Sequence, residues 1–404
     1  MGSATSGSDW PPLAFETEVW DWHGQRPSSR LDRLFSAYES SVPPEIADLS
    51  PVFDRATNHA LNRAAGAIIT LDSDANSHLV GVAGALLRSE SVGSSKIELL
   101  DTDARQLGVA AIGEAKSRSA AAQVWANVEA MEKALAAADD DHFSVDTINA
   151  IHHTLMRNDP HEAAFAGRVR DVQNWIGGSD HCPRDALHVP PAQERVAPLL
   201  DDLARWCDRT DLPVLAQAAI AHAQFETIHP YTDGNGRTGR AIIHTLLRRG
   251  GLAPTVIVPT SAALLADVDA YFRSLGDYRV GDVDRYLTHF ASATERAASE
   301  ARALAAELRL VHEDWAARVT PKRGTTLSRI IDGLIQQPVI SAAVNAATGH
   351  ADIATIYRTI DRLVDAGVLV EATENRRNRV WAAHEVTAAL DEFSRRIGRR
   401  QDLR

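Results

Sequence analysis

The run His229-Pro230-Tyr231-Thr232-Asp233-Gly234-Asn235-Gly236-Arg237-Thr238-Gly239-Arg240 concentrates, in one stretch, the residue types that handle phosphate. Gly234 and Gly236 permit backbone conformations closed to other residues, so consecutive amides can turn inward around an anion. A helix expected to begin near Arg237 would aim its free amide hydrogens and positive dipole end at the same place. Arg237 and Arg240, three residues apart on that helix, share a side and can neutralise the outer phosphates of a polyphosphate chain. Asp233 offers a hard oxygen suited to Mg²⁺, and Asn235 an amide for a phosphate oxygen. His229, just before the loop, could take the proton of an attacking hydroxyl, a role worth about 10²- to 10⁴-fold in rate. Together these are the parts of a nucleotide transferase.

The flanking elements decide how this run is read. GNGRTG satisfies the dinucleotide fingerprint GxGxxG, but that motif needs a preceding strand, and Leu212 to Thr227 has the pattern of an Ala-rich helix. The periodicity from Pro51 to about Asp139 is helical, in three successive stretches, and Ser144 is a plausible N-cap for the next helix. VRDVQNWIGGSDHCPRDALHVPP is the exception: VQNWI and ALHV are short strand-like runs around a Gly-Gly loop, an irregular hairpin. Helical pattern resumes over AQERVAPLLDDLARWC and LPVLAQAAIAHAQFETI, continues after the loop with RTGRAIIHTLLRRG, then runs from Ser261 to Leu275 and from about Val283 to Val319.

HPYTDGNGRTGR resembles the signature of the Fic family, HPFx(D/E)GNGRxxR, departing only at Tyr231, where Phe is usual. The resemblance extends over about residues 40 to 310 and implies a mainly α fold. A Fic-like helical bundle would carry a short β-hairpin flap. The implied activity is transfer of a nucleoside monophosphate, most often AMP from ATP with Mg²⁺, to a Ser, Thr or Tyr hydroxyl of a target protein. By the family pattern His229 is the base and Asp233 the metal ligand. Gly234, Asn235 and Gly236 hold the α-phosphate, and Arg237 and Arg240 engage the outer ones. GRVRDVQNWIGG followed by HVPP looks like the family's flap, so Gln173, Asn174, Trp175 and Ile176 are expected to line up a target segment by strand addition. Ser94-Ser95-Lys96-Ile97-Glu98 resembles the inhibitory motif (S/T)xxxE(G/N), with Leu99 where Gly or Asn is usual. A Glu98 carboxylate beside Arg240 would occupy the charge site of the terminal phosphate and spoil in-line attack. Some relatives with this arrangement also remove AMP, and sequence leaves that direction open.

Residues 321–404 have thirteen Lys/Arg against ten Asp/Glu, a surplus of three positive charges in a chain of net charge −12. That asymmetry suggests a separate module. LSRIIDGLIQQP, SAAVNAAT and DIATIYRTIDRLVDAG read as three helices, the last two joined at Gly349-His350, and VLVEAT and RVWAA as a hairpin around ENRRN: the winged helix-turn-helix plan. Ile353, Ile356, Ile360, Leu363 and Val364 form an apolar face expected to be core. Thr355, Tyr357, Arg358, Arg362, Arg376, Arg377 and Arg379 are left for a partner. The weak charge leaves DNA, another protein or a second copy of the chain as that partner.

The expected organisation is thus a flexible arm at 1–40, an amino-terminal helical region with the inhibitory helix at 41–140, a Fic core at 141–320 and the winged-helix module at 321–404. The longest apolar run, Leu79 to Leu87, is too short for a membrane span, and MGSATSGSDW lacks the basic start of a secretory signal. With only Cys182 and Cys207, neither disulfides nor a thiolate zinc site is indicated, and a cytoplasmic location is expected. His152, His153, His161 and His181 have no metal-ligand spacing, and HEAAF lacks the second His of HExxH. Two other readings stay open: a nucleotide-sensing winged-helix DNA-binding regulator, and a Fic enzyme with a different nucleotide donor.

Overall fold

Trp10 marks the first departure from those expectations. In the computed structural model, which describes residues 10–21, 29–78, 81–116, 118–347, 351–372 and 379–398, this indole is only 5% exposed. It packs edge-on against Trp206 and tilted against Tyr278. The chain then forms strand β1 (Ala14–Val19), a single turn of helix α1 (Arg30–Arg33) and strand β2 (Ala37–Val42). β1 and β2 pair antiparallel, Ala14 facing Val42 and Val19 facing Ala37. The described part of the arm expected to be flexible is therefore docked. Its aromatics supply the reason: Trp20 meets Phe35, Tyr38 and Trp175, burying rings that a free tail would expose to water.

The helical body comprises α2 (Arg55–His78), α3 (Val82–Ile97), α4 (Ala104–Ala111), α5 (Ala120–Ala136), α6 (Val145–Met156), α7 (Gln193–Cys207), α8 (Val214–Ile228) and α9 (Asn235–Arg249). It continues with α10 (Thr260–Leu265), α11 (Val268–Arg279) and the long α12 (Val283–Val319). Ser144 caps α6 in a reciprocal capping box with Thr147. The stretch expected as one helix to about Asp139 is two, because the chain turns at Gly113, whose φ of +77° is glycine territory, and restarts at the Ser119 cap of α5. Ser261 to Leu275 likewise divides, with Asp267 capping α11. Around the site, α8 and α9 pack against each other, and α9 also rests on α5 and α6. α8 is buried nearly all round, which is why its pattern lacks a polar face.

After α12 come α13 (Thr326–Gln336), β3 (Val339–Ser341), α14 (Ala342–Ala347), α15 (Ile353–Asp365), β4 (Val370–Glu371), β5 (Val380–Ala382) and α16 (His384–Ile397). The strands form one antiparallel sheet in the order β3-β5-β4. Gly349, His350, Arg376 and Arg377 lie outside the described residues. On α15, Ile356, Ile360 and Leu363 are buried, whereas Ile353 and Val364, also expected as core, are exposed. Ile353 is the first residue of α15, one turn before the stripe, and Val364 directly follows Leu363 in its last turn.

This region is not set apart from the body. Its apolar residues join the same core as α2, α3, α8 and α12. Arg88 of α3 bonds the Gln337 side chain, Asp391 accepts the Ala104 amide at 3.0 Å, and Arg396 pairs with Glu300 at 2.6 Å. Gly84 and Gly108 are the close approaches that admit the side chains of Gln336 and Val339. Among the described residues no helix is long and apolar enough to cross a membrane.

Candidate active site

α8 ends at His229, which adopts a left-handed conformation (φ 49°, ψ 62°) and closes the helix by donating its amide to the Phe225 carbonyl. The carbonyl of His229 accepts from Arg170 Nε at 3.0 Å and from Asn174 Nδ2 at 3.3 Å. Arg170 also reaches the carbonyls of Val172 and Pro191, so one buried guanidinium ties the catalytic turn to the flap segment. Burial, with the positive charges of Arg170 and Arg279, lowers the His229 imidazole pKa to about 3. It is neutral at pH 7 and free to accept a proton.

Tyr231 is buried. Its ring stacks on His152 at 3.6 Å, and its hydroxyl donates to Asn149 Oδ1 at 2.7 Å, the partner a buried phenol requires. His152 in turn accepts the Gly167 amide at Nδ1 and lies 3.0 Å from the Asp233 carbonyl through Nε2, a structural role. Gly234 takes φ 74° and caps α9, which begins at Asn235, two residues before the expected Arg237. Asn235 corrects an expectation. Its Oδ1 accepts the Tyr231 amide at 2.9 Å and its Nδ2 donates to the Tyr231 carbonyl at 2.8 Å, so the side chain shapes the loop and only the backbone amide is left for phosphate. Gly236 is helical rather than left-handed. Its requirement is space, because an added methyl would collide with Glu98 Oε1 and lie 2.9 Å from Arg240 Nη1.

Both arginines are occupied. Glu98, at the end of α3, binds Arg237 Nε through Oε2 at 2.5 Å and Arg240 Nη2 through Oε1 at 2.8 Å. Ser94 accepts from Arg240 Nε at 2.8 Å, and its carbonyl from Nη2 at 2.9 Å. Arg240 is buried, so its charge would be costly without these partners. Leu99 follows with φ 63° and is 93% exposed. This explains why Gly or Asn suits the position: a left-handed Leu is strained.

Asp233 keeps one oxygen, Oδ1, on the Gly234 amide at 2.6 Å, while Oδ2 stands 3.8 Å from Arg237. The carboxylate is about half exposed. Among the described residues no cluster of three or more His, Cys, Asp or Glu could hold a metal alone. A single open carboxylate fits Mg²⁺ that completes its shell with phosphate oxygens and water.

The flap is less regular than a hairpin. One bridge joins Ile176 to His188, and the side chains of its neighbours turn inward. Gln173 Nε2 donates to the Pro190 carbonyl, Asn174 Nδ2 to the Tyr231 carbonyl at 2.9 Å, and Trp175 Nε1 to the Ser179 carbonyl. Asn174 ties the flap to the loop, whereas Gln173 and Trp175 bond within the flap segment, and the Ile176 backbone is already paired with residues 187 and 188. β2 donates the Ser41 amide to Val189, so the amino-terminal hairpin abuts the flap's return segment. Arg170 and Asn149 were not singled out from the sequence, since neither lies in the loop motif.

Residues 142–247 match the Fic/DOC family. Over that stretch the chain is similar to Fic domains. Protein adenylyltransferase fic-1 of Caenorhabditis elegans is 30% identical over 161 residues, 39% of this chain and 28% of that protein. Protein adenylyltransferase Fic of Nematostella vectensis is 31% identical over 160 residues, 39% of this chain and 33% of that protein. The match thus spans about a third or less of these relatives. A solved Fic family protein from Desulfovibrio desulfuricans G20 superposes with a TM-score of 0.52 at 20% identity, covering 85% of this chain and 98% of that one, a likeness of fold.

Proposed function

We propose that this protein is an adenylyltransferase that moves AMP from ATP to a Ser, Thr or Tyr hydroxyl of a target protein and is held inactive by its own Glu98. The observation that carries this reading is the paired engagement of Arg237 and Arg240 by one carboxylate on the helix that follows the His229 turn and its glycine-bearing loop. The amides of Asn235 and Gly236, at the positive end of α9, would face the α-phosphate. With Glu98 withdrawn, the arginines would bind the outer phosphates and align them for in-line attack. His229 Nε2 takes the hydroxyl proton as the oxygen bonds to the α-phosphorus and the bond to pyrophosphate breaks. Asp233 would hold a Mg²⁺ ion, which would supply charge neutralisation for the phosphates when bound. Residues 173–176 would offer their backbone to an extended target segment. Two buried free thiols suit a reducing compartment such as the cytoplasm.

The decisive experiment is incubation of wild type and Glu98→Gly with ATP labelled at the α-phosphorus, Mg²⁺ and a cell extract, followed by mass spectrometry. An added AMP that depends on His229 and increases in Glu98→Gly is expected. No covalent label in either protein counts against transfer.

The helix order and three-stranded sheet of the carboxy-terminal region support a winged-helix module. Among the described residues of α15 and the sheet, Arg379 is paired with Glu371 at 2.7 Å and Arg362 donates to the Val319 carbonyl, leaving Arg358 on the exposed side of α15. A protein partner or a second copy of the chain fits that charge better than DNA. Fluorescence anisotropy with random duplex at two salt concentrations distinguishes them: salt-sensitive binding would favour DNA.

A further inference from the structure

Beneath the loop lies a buried polar cluster that the transfer mechanism above does not use. Glu226, one turn before His229 on α8, is buried, and its Oε1 has no hydrogen-bond partner. The Nδ1 of His229 is also buried and unpartnered, 4.0 Å from Glu226 Oε2. A third such atom, His222 Nδ1, faces the same place: a methyl at Gly239 would lie 3.1 Å from it and 3.2 Å from Glu226 Oε1. His222 is anchored from the other side, with Nε2 2.8 Å from the Tyr271 hydroxyl. The backbone carbonyl of Glu226 already receives Arg279 Nη2 at 3.3 Å. Three orphaned polar atoms, two of them beside Gly239 and the third 4.0 Å from the same carboxylate, are costly unless a small movement pairs them.

We propose that Glu226 is the positioning residue of His229: its carboxylate closes onto the Nδ1–H of the imidazole, fixing the tautomer in which Nε2 is free to accept the target hydroxyl's proton. The closure needed is about one ångström, from 4.0 Å to an ordinary hydrogen bond. In the transfer step Glu226 gains no proton. The hydroxyl proton goes to Nε2, and the adjacent carboxylate stabilises the resulting imidazolium, as the carboxylate does in serine-protease triads.

The groups facing Glu226 link this contact to inhibition. Burial pushes its pKa up to about 7, Arg240 and Arg279 pull it down, and Glu98 pushes it further up. His222 and His229 face it from its own helix and Tyr271 from α11. Arg170 and His188 face His229 from the flap side. Removing the Glu98 carboxylate leaves Arg240 uncompensated, so Glu226 ionises at lower pH. Withdrawal of the inhibitor would thereby free the arginines and arm the base together.

This inference rests on the transferase reading, and its test separates the two. Steady-state transfer is measured against pH in Glu98→Gly, with Glu98→Gly/Glu226→Gln and Glu98→Gly/Glu226→Asp beside it. The Gln variant is expected to lose about 10²-fold in kcat with KM for ATP unchanged, and to lose the acidic limb set by Glu226, while Asp recovers part of the rate. Unchanged kcat and limb, or a change confined to KM, overturns the proposal. Nitrogen NMR of ¹⁵N-histidine protein, with His229 assigned through His229→Ala, reads the contact without activity or the Gln variant. A proton on Nδ1 whose shift follows a titration near neutrality supports the proposal, and a proton on Nε2 overturns it. No transfer by Glu98→Gly with that NMR signature intact supports the contact and removes only the transferase reading.

Discussion

Tyr231 stands where the Fic signature has Phe, and its surroundings show what the extra hydroxyl does. It reaches Asn149 while the ring fills the same buried slot against His152 and Phe225. Tyr231→Phe should retain transfer within a few-fold but cost about 1–2 kcal/mol, because Asn149 Oδ1 is left without its donor. Chemical denaturation with a parallel activity assay checks both, and a loss of transfer at unchanged stability would give the hydroxyl a catalytic part. His229→Ala should abolish transfer at unchanged melting temperature, since the proposed step takes the hydroxyl proton on this imidazole. Wild-type rates in that variant would remove the role. The motif's residue types were legible from the sequence. The roles of Asn235 and Gly236 were not, because an amide that clamps Tyr231 and a glycine that clears space for Glu98 are defined by partners brought up by folding.

α3 is the element through which the proposed inhibition would act, since its last turn carries both Ser94 and Glu98 to Arg240. Glu98→Gly should raise transfer on the order of 10²-fold, the cost typical of a misplaced reacting group. A labelling assay reads it, and no increase would discard the inhibitory role. Leu99 offers a test in the opposite direction. Relief of its left-handed strain in Leu99→Gly should stabilise the protein by about 0.5–1 kcal/mol, after glycine's own entropic cost, and should hold Glu98 more firmly. An unchanged or lower melting temperature would show that the turn tolerates Leu without strain. The departure at Leu99 was visible in the sequence, but its meaning required the backbone angle.

Across the described residues, the carboxy-terminal region shares a core with the helical body and contacts α3 and the α4 amino terminus. Thermal unfolding should therefore show one calorimetric transition rather than two, and two well-separated transitions would restore the independent module that the charge asymmetry suggested. Acid should destabilise the fold. Burial lowers His229 and His222 to about 3 and His152 to about 4, below the ~6.5 of an unfolded histidine. Between those values the unfolded chain binds more protons, so stability is full above ~6.5 and falls as pH drops. Glu226, raised to about 7, acts the other way between ~4.3 and 7 and offsets one of the three. A melting temperature that holds or rises from pH 7.5 to 5 would contradict this balance.

The loop between two helices at residues 229–234, the helical character of the chain and the capping of α6 by Ser144 follow from sequence alone, because each depends on neighbours a few positions apart. Other features were decided only in three dimensions. The docking of Trp10, the pairing of Glu98 with arginines some 140 positions away, the seat of α13 on α3 and the facing of Glu226 with His229 Nδ1 depend on surfaces that meet after packing. Sequence spacing encodes the first kind of contact through helix and turn geometry. The second kind is set by which buried faces and charges find partners when the core closes.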